Sequence, residues 1–176
     1  MSISTQYKSI IKALYEYENL LKGLSEEEFI QSPPQGGWSF SETYSHIFQA
    51  NLGSLIAVEK CMLKTGIQTR KSINWLAWTI LFFGKFPPGK IKAPERIAAM
   101  VSKISREDAL NLIIKFKSRL ADIKQRINTA DPHVKIKHPR LGLLNAKQWF
   151  RFIEVHTIHH TRQLKRISAL LKHAQA

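Results

Sequence analysis

Apolar residues recur along this chain at steps of three and four, the spacing that lines up one face of an α-helix. Ile3, Tyr7, Ile10, Leu14, Tyr17, Leu21 and Leu24 form the first such stripe and predict a helix from about Ser4 to Gly23, with the glycine as its stop. Ser25 and Glu28 then make an S-x-x-E capping box for a short turn, and QSPPQGG (31–37) reads as a loop. A second capping box, Ser39 and Glu42, opens a helix whose stripe runs through Tyr44, Phe48, Leu52, Leu55 and Val58 to about Leu63. The third stripe is Ala109, Ile113, Phe116, Leu120, Ile123 and Ile127. It predicts a helix from about Arg106 to Asn128, with Ser105 and Asp108 at its start and Asp131-Pro132 beyond its end. The fourth runs from about Asn145 to Leu171.

These patterns predict an all-α fold, a four-helix bundle in one domain over 1–176. Roughly 40 residues separate the second and third long helices, enough for a long crossover that leaves the two parallel. That connection holds Trp75, Trp78, Phe82, Phe83 and Phe86 before Pro87-Pro88, and one or two short helices are expected in it. We expect it to cover one end of the core rather than to form a pocket wall or a dimer surface.

Composition narrows the classes. Hydrophobic residues make up 44%, too many for a disordered chain. The most apolar segment, INWLAWTILFFG from Ile73 to Gly84, falls short of the roughly 20 residues of a spanning helix, so no membrane partner is expected. MSISTQYKSI has no apolar core of an export signal, and the single cysteine, Cys61, permits no intrachain disulfide. Both fit a cytoplasmic protein. Lys and Arg number 27 against 13 Asp and Glu, a formal charge of +14. The basic residues are spread along the chain without interleaved aromatics, which favours a solvated basic face over a nucleic-acid surface and draws anionic small molecules.

The candidate chemistry lies in EVHTIHHTRQLKRI (154–167). With about 100° per residue, and His156 at zero, His160 falls near 40° and Gln163 near −20°. Trp149, Phe152, Ile153, Leu164 and Ile167 share that sector, so His156 and His160 sit within the apolar stripe, one turn apart. His159 lies at its edge. Two buried imidazoles need partners: a divalent metal that takes a lone pair from each, or backbone and hydroxyl groups. Spacing alone leaves both open. A third ligand is sought among His46, His133, His138 and His173. His46 stands out because its helix face carries Ser39, Glu42, Thr43, Ala50, Gly53 and Ala57, mostly small or polar, which lets a facing helix approach or leaves room beside a ligand.

Two stretches, GGWSFSETYSHIFQAN (36–51) and HPRLGLLNAKQWFRFIEVHTIHHTRQLKRI (138–167), resemble the DinB-like (YfiT-like) superfamily of metal-binding four-helix bundles. The first is similar to that family's Trp-Ser pair followed by a helix with one histidine. The second resembles its H-x-x-H-H-x-x-Q run. The resemblance implies the metal ligands His46, His156 and His160, and a divalent ion such as zinc, nickel or iron. It also implies thiol-dependent transferase or hydrolase chemistry on a small-molecule substrate, a low-molecular-weight thiol among the candidates. Dimers are common in the superfamily, so a homodimer stays open. Glu42, one turn before His46, and Gln163, one turn after His160, are the candidate catalytic residues; Glu42 is also placed to do no more than cap its helix, and Gln163 to bond its neighbours. A non-catalytic metal-binding bundle and a basic anion- or nucleic-acid-binding protein are the alternatives to an enzyme.

Overall fold

The structure, a computed structural model, describes residues 1–87 and 101–175, with side chains to 172. Residues 88–100 of the expected crossover, Pro88 among them, and the side chain of His173 lie outside the described residues. The long helices form where the stripes place them: α1 (Ile3–Lys22), α3 (Phe40–Met62), α5 (Arg106–Arg126, continued by a 3-10 turn Ile127–Thr129) and α6 (Ala146–Gln175). A short α2 (Glu26–Ile30) follows α1, and α4 (Trp75–Phe83) lies in the crossover. Ser2 caps α1, and the three S-x-x-E/D caps close as reciprocal boxes: Ser25 with Glu28, Ser39 with Glu42 and Ser105 with Asp108.

The contacts fix the direction of each helix. Ser41 meets Ile104, Phe48 meets Phe116 and Glu59 meets Arg119, so α3 and α5 start together and run parallel. Arg106 donates to Leu21 O and Lys117 pairs with Glu18, so α1 and α5 are antiparallel. Arg151 meets Met1 and Lys165 meets Glu16, so α1 and α6 are parallel. Asn51 against Thr157 and Cys61 against Leu144 make α3 and α6 antiparallel. The order is therefore up-down-down-up, which the crossover requires. At the centre, Tyr17, Tyr44, Phe48 and Phe116 pack edge-on and tilted with no exposed surface to speak of. Two buried hydroxyls run through this core, Tyr44 to Tyr17 O at 2.8 Å and Tyr17 to Thr157 O at 2.5 Å, so both phenols are satisfied there.

The all-α expectation holds for the bundle but omits a small sheet. β1 (Ile67–Gln68), β2 (Val134–His138) and β3 (Gly142–Asn145) pair antiparallel in the order β1-β2-β3, with Ile136 opposite Leu144 and His138 opposite Gly142. The sheet packs against the end of α3 and the start of α6: Trp149 Nε1 donates to Ile136 O at 3.2 Å. Asn145 and Gln148 cap α6 reciprocally as the chain leaves β3.

Arg151 ties α4 to the bundle. Its Nε donates to Leu81 O at 2.9 Å and its Nη1 to Glu154 Oε2 at 2.5 Å. Glu154 is 1% exposed, so the guanidinium is what keeps a buried carboxylate paired. Gly84 closes α4 in the left-handed region at φ 65, and a Cβ there would sit 2.6 Å from Arg151 Nη2.

Candidate metal centre

α3 carries His46 in its second turn, and the long α6 carries His156 and His160 one turn apart on the face turned to α3. The antiparallel packing of the two helices brings the three rings together. One nitrogen from each lies within 4.8 Å of the others, and all three residues are buried. The ring centroids are 4.5 to 5.4 Å apart. Trp38, in the loop before α3, lies 5.0 Å from His46, and Phe152 stacks on His156 at 5.4 Å. Aromatic walls thus enclose the imidazoles on two sides.

Hydrogen bonds set the tautomers. Thr157 Oγ1 donates to Ile153 O at 2.8 Å, so it accepts from Asn51 Nδ2 at 3.0 Å. Asn51 then turns its carbonyl oxygen to His156 Nδ1 at 2.9 Å, and that nitrogen must carry the proton. Gln163 Oε1 accepts from His160 Nδ1 at 2.7 Å in the same way. Both Nε2 atoms are left with lone pairs, and they face each other at 3.1 Å. A tetrahedral ion with Zn–N bonds of about 2.0–2.1 Å holds two ligand nitrogens a little over 3 Å apart, so the pair fits a cation between them. His46 Nδ1 is buried with no hydrogen-bond partner, a third polar atom that an ion or its shell would satisfy.

Burial keeps the rings neutral. It pushes His46 down to about 4, with His159 adding to the effect, and His160 down to about 3, with His46 and His159 adding. His156 is driven well below the ordinary histidine range by burial, then by His160 and its other histidine neighbours. Outside the cluster, burial and then Arg140 lower His138 to about 4. Each of these groups binds protons more weakly folded than unfolded, where the value is 6.5. Their contribution to metal-free stability is therefore complete above pH 6.5 and lost as pH falls toward 4. The guanidinium midpoint of metal-free protein should drop steadily from pH 7 to pH 4.5; a flat midpoint would contradict neutral buried imidazoles.

Among the described residues, the structure gathers His46, His156 and His160 into the cluster and leaves the other histidines out of it. His133 is exposed in the turn before β2. His138 ends strand β2: its Nδ1 accepts from Arg140 N and Leu141 N, both at 3.1 Å, and its ring packs on Phe152 and Trp149. His159 sits at the rim, 5.1 Å from His160 and 4.9 Å from Phe86. Glu42 does cap its helix: Oε2 accepts from Ser39 N at 2.9 Å and Ser39 Oγ at 2.8 Å. Gln163 orients His160. On α3, beyond His46, Ala50 is half-buried, Ala57 is buried, and Gly53 is exposed with open space where a Cβ would stand.

Asn51 and Thr157 were not foreseen, although an asparagine in a helix interior was a visible signal. Replacing Asn51 with leucine leaves His156 Nδ1–H without an acceptor. Metal affinity should fall about 10–100-fold, as for lost supports of metal-bound histidines. Asn51→Asp still accepts that proton and should retain most of it. Competition with a chromogenic chelator measures both, and equal affinity in wild type and Asn51→Leu would remove the relay from the site.

Comparisons with known proteins agree with the fold. A family model described as the DinB superfamily matches residues 10–164. The uncharacterized protein YuaE of Bacillus subtilis (strain 168) is 25% identical over 163 residues, which is 93% of this chain and 97% of that protein. Among solved structures, TT2238, a four-helix bundle protein, has a TM-score of 0.58 at 17% identity and covers 93% of this chain and 98% of its own. YfiT from Bacillus subtilis has a TM-score of 0.65 at 10% identity, over 98% of this chain and 90% of its own. It is described as "a probable metal-dependent hydrolase with an unusual four-helix bundle topology".

Proposed function

Because this chain belongs to the DinB superfamily, we propose that it is a divalent-metal-dependent enzyme with His46, His156 and His160 as ligands, acting first as a hydrolase. The observation that carries this reading is the pair of Nε2 lone pairs held face to face by Asn51 and Gln163. A core pair without a metal role would be expected to place an N–H between the two rings, in place of two facing lone pairs. YfiT, of the same fold, supports hydrolysis through its description.

A divalent ion in such a site supplies Lewis acidity to the oxygen or sulfur donors that complete its shell. The chain's own part is to hold and shield it. Three neutral imidazoles add no negative charge, so the ion's full charge acts on whatever else it binds. Asn51 and Gln163 fix the ring orientations, while Trp38 and Phe152 exclude water from two sides. Imidazole suits zinc, nickel and iron alike. Transfer of a low-molecular-weight thiol to a small electrophile is the second reading, since a thiolate is also a ligand for a charged ion with an open position.

Metal removal tests the proposal. Protein stripped with dipicolinate and then given zinc, nickel or iron(II) should be inactive when stripped and active again with at least one ion. The assays are a panel of ester and amide hydrolyses beside a panel of thiol conjugations. Tight metal binding with no turnover in either panel would make the bundle a non-catalytic binder. Turnover that survives stripping would sink the metal mechanism.

A further inference from the structure

Helix α4 departs from the usual rule for surface helices. Of its nine residues, WLAWTILFF, only Thr79 is polar, and a helix apolar all round is normally buried. Here Ala77 and Ile80 face inward, while Trp75, Trp78, Phe82 and Phe83 are 77%, 50%, 66% and 64% exposed. Trp78 stacks on Phe82 at 5.0 Å and meets Phe83 edge-on at 6.3 Å, so they form one contiguous outer face. The helix is held in this pose by Asn74, which caps it, and by Arg151.

Charge decides what covers that face. From Lys60 to Pro94 the sequence has seven basic residues and no acidic one. Arg70 and Lys71 before α4 and Lys85 after it are exposed, and none of them takes part in an ion pair among the described residues. A second copy placed on this face by a two-fold axis would set these cations against themselves. An anionic bilayer offers the complement: negative headgroups for the basic flanks, and the headgroup-acyl boundary that tryptophan prefers for the aromatic face. Among the described residues no helix is long and apolar enough to cross a membrane, but lying against one needs no span. We propose that α4 and its basic flanks form a peripheral docking surface for anionic phospholipid.

The test uses the full metal-loaded chain with vesicles of phosphatidylglycerol and phosphatidylcholine mixed equally, and with phosphatidylcholine alone. Wild type should co-sediment with the mixed vesicles, shift its tryptophan emission to the blue, and stay in solution with the neutral ones. Trp75→Ser/Phe82→Ser and Arg70→Glu/Lys71→Glu should each lower partitioning about tenfold or more, with metal content unchanged. No sedimentation with the mixed vesicles would overturn the proposal, as would undiminished binding by Trp75→Ser/Phe82→Ser. So would size-exclusion chromatography showing a wild-type dimer that this aromatic variant dissociates, since a second copy would then cover the face.

Discussion

The His156→Ala/His160→Ala protein should emerge from purification with no bound metal, where wild type prepared in parallel carries about one equivalent by elemental mass spectrometry. The substitution removes both α6 donors and leaves His46 alone, and one imidazole does not retain an ion through purification. The fold should survive, because the two side chains lie at one edge of a core built around Tyr17, Tyr44, Phe48 and Phe116. Asn51 keeps its bond to Thr157 but loses His156, at a cost of about 1–3 kcal/mol for a buried group left short of a partner. Circular dichroism should therefore show native helix content at room temperature. Equal metal in both proteins would place the ion elsewhere. No metal in either, with both folded and both given metal, would make these core histidines and leave the basic surface as the better guide to function.

Arg151→Ala should destabilise the protein by about 3–5 kcal/mol, because it strands the carboxylate of Glu154 in the interior. Arg151→Ala/Glu154→Leu should recover most of that loss, since a leucine of similar size needs no counter-ion there. It should not restore the anchoring of α4, whose Leu81 carbonyl also depends on the guanidinium. Guanidinium denaturation reads the first effect, and limited proteolysis near Gly84 reads the second. A double variant as unstable as the single one would show that the lost packing of the arginine stem, and not the stranded charge, sets the cost.

The long helices were legible because each has a stripe, and two of them also have a start signal. Ser39 with Glu42 and Ser105 with Asp108 place two helix starts, and both boxes form. The length of the crossover permitted the parallel course of α3 and α5, and the contacts between them fix it. The sheet was missed although its signal exists: Val134, Ile136 and His138 alternate with Lys135 and Lys137, and Gly142 takes a positive φ at the turn. Two lysines in five residues obscure it, yet Lys135 is buried and its ammonium is held by Lys71 O. In the site, face angles on α6 placed His156 and His160 together, and a face of small residues picked out His46. Thr157 was hidden because a threonine on a helix gives no sign of which carbonyl it will bond. Asn51 escaped because its partners are on another helix and more than a hundred residues away, and only tertiary packing brings them together.

The wide separation of residue 46 from residues 156 and 160 also bears on the order of events during synthesis. A ribosome delivers α3 long before α6, so a nascent chain holds one donor of the three until the last long helix has emerged and folded back antiparallel to α3. Chains cut short before residue 156 offer no two-point grip on an ion. If the three histidines hold an ion as proposed, its uptake at this site would report that translation has passed His160.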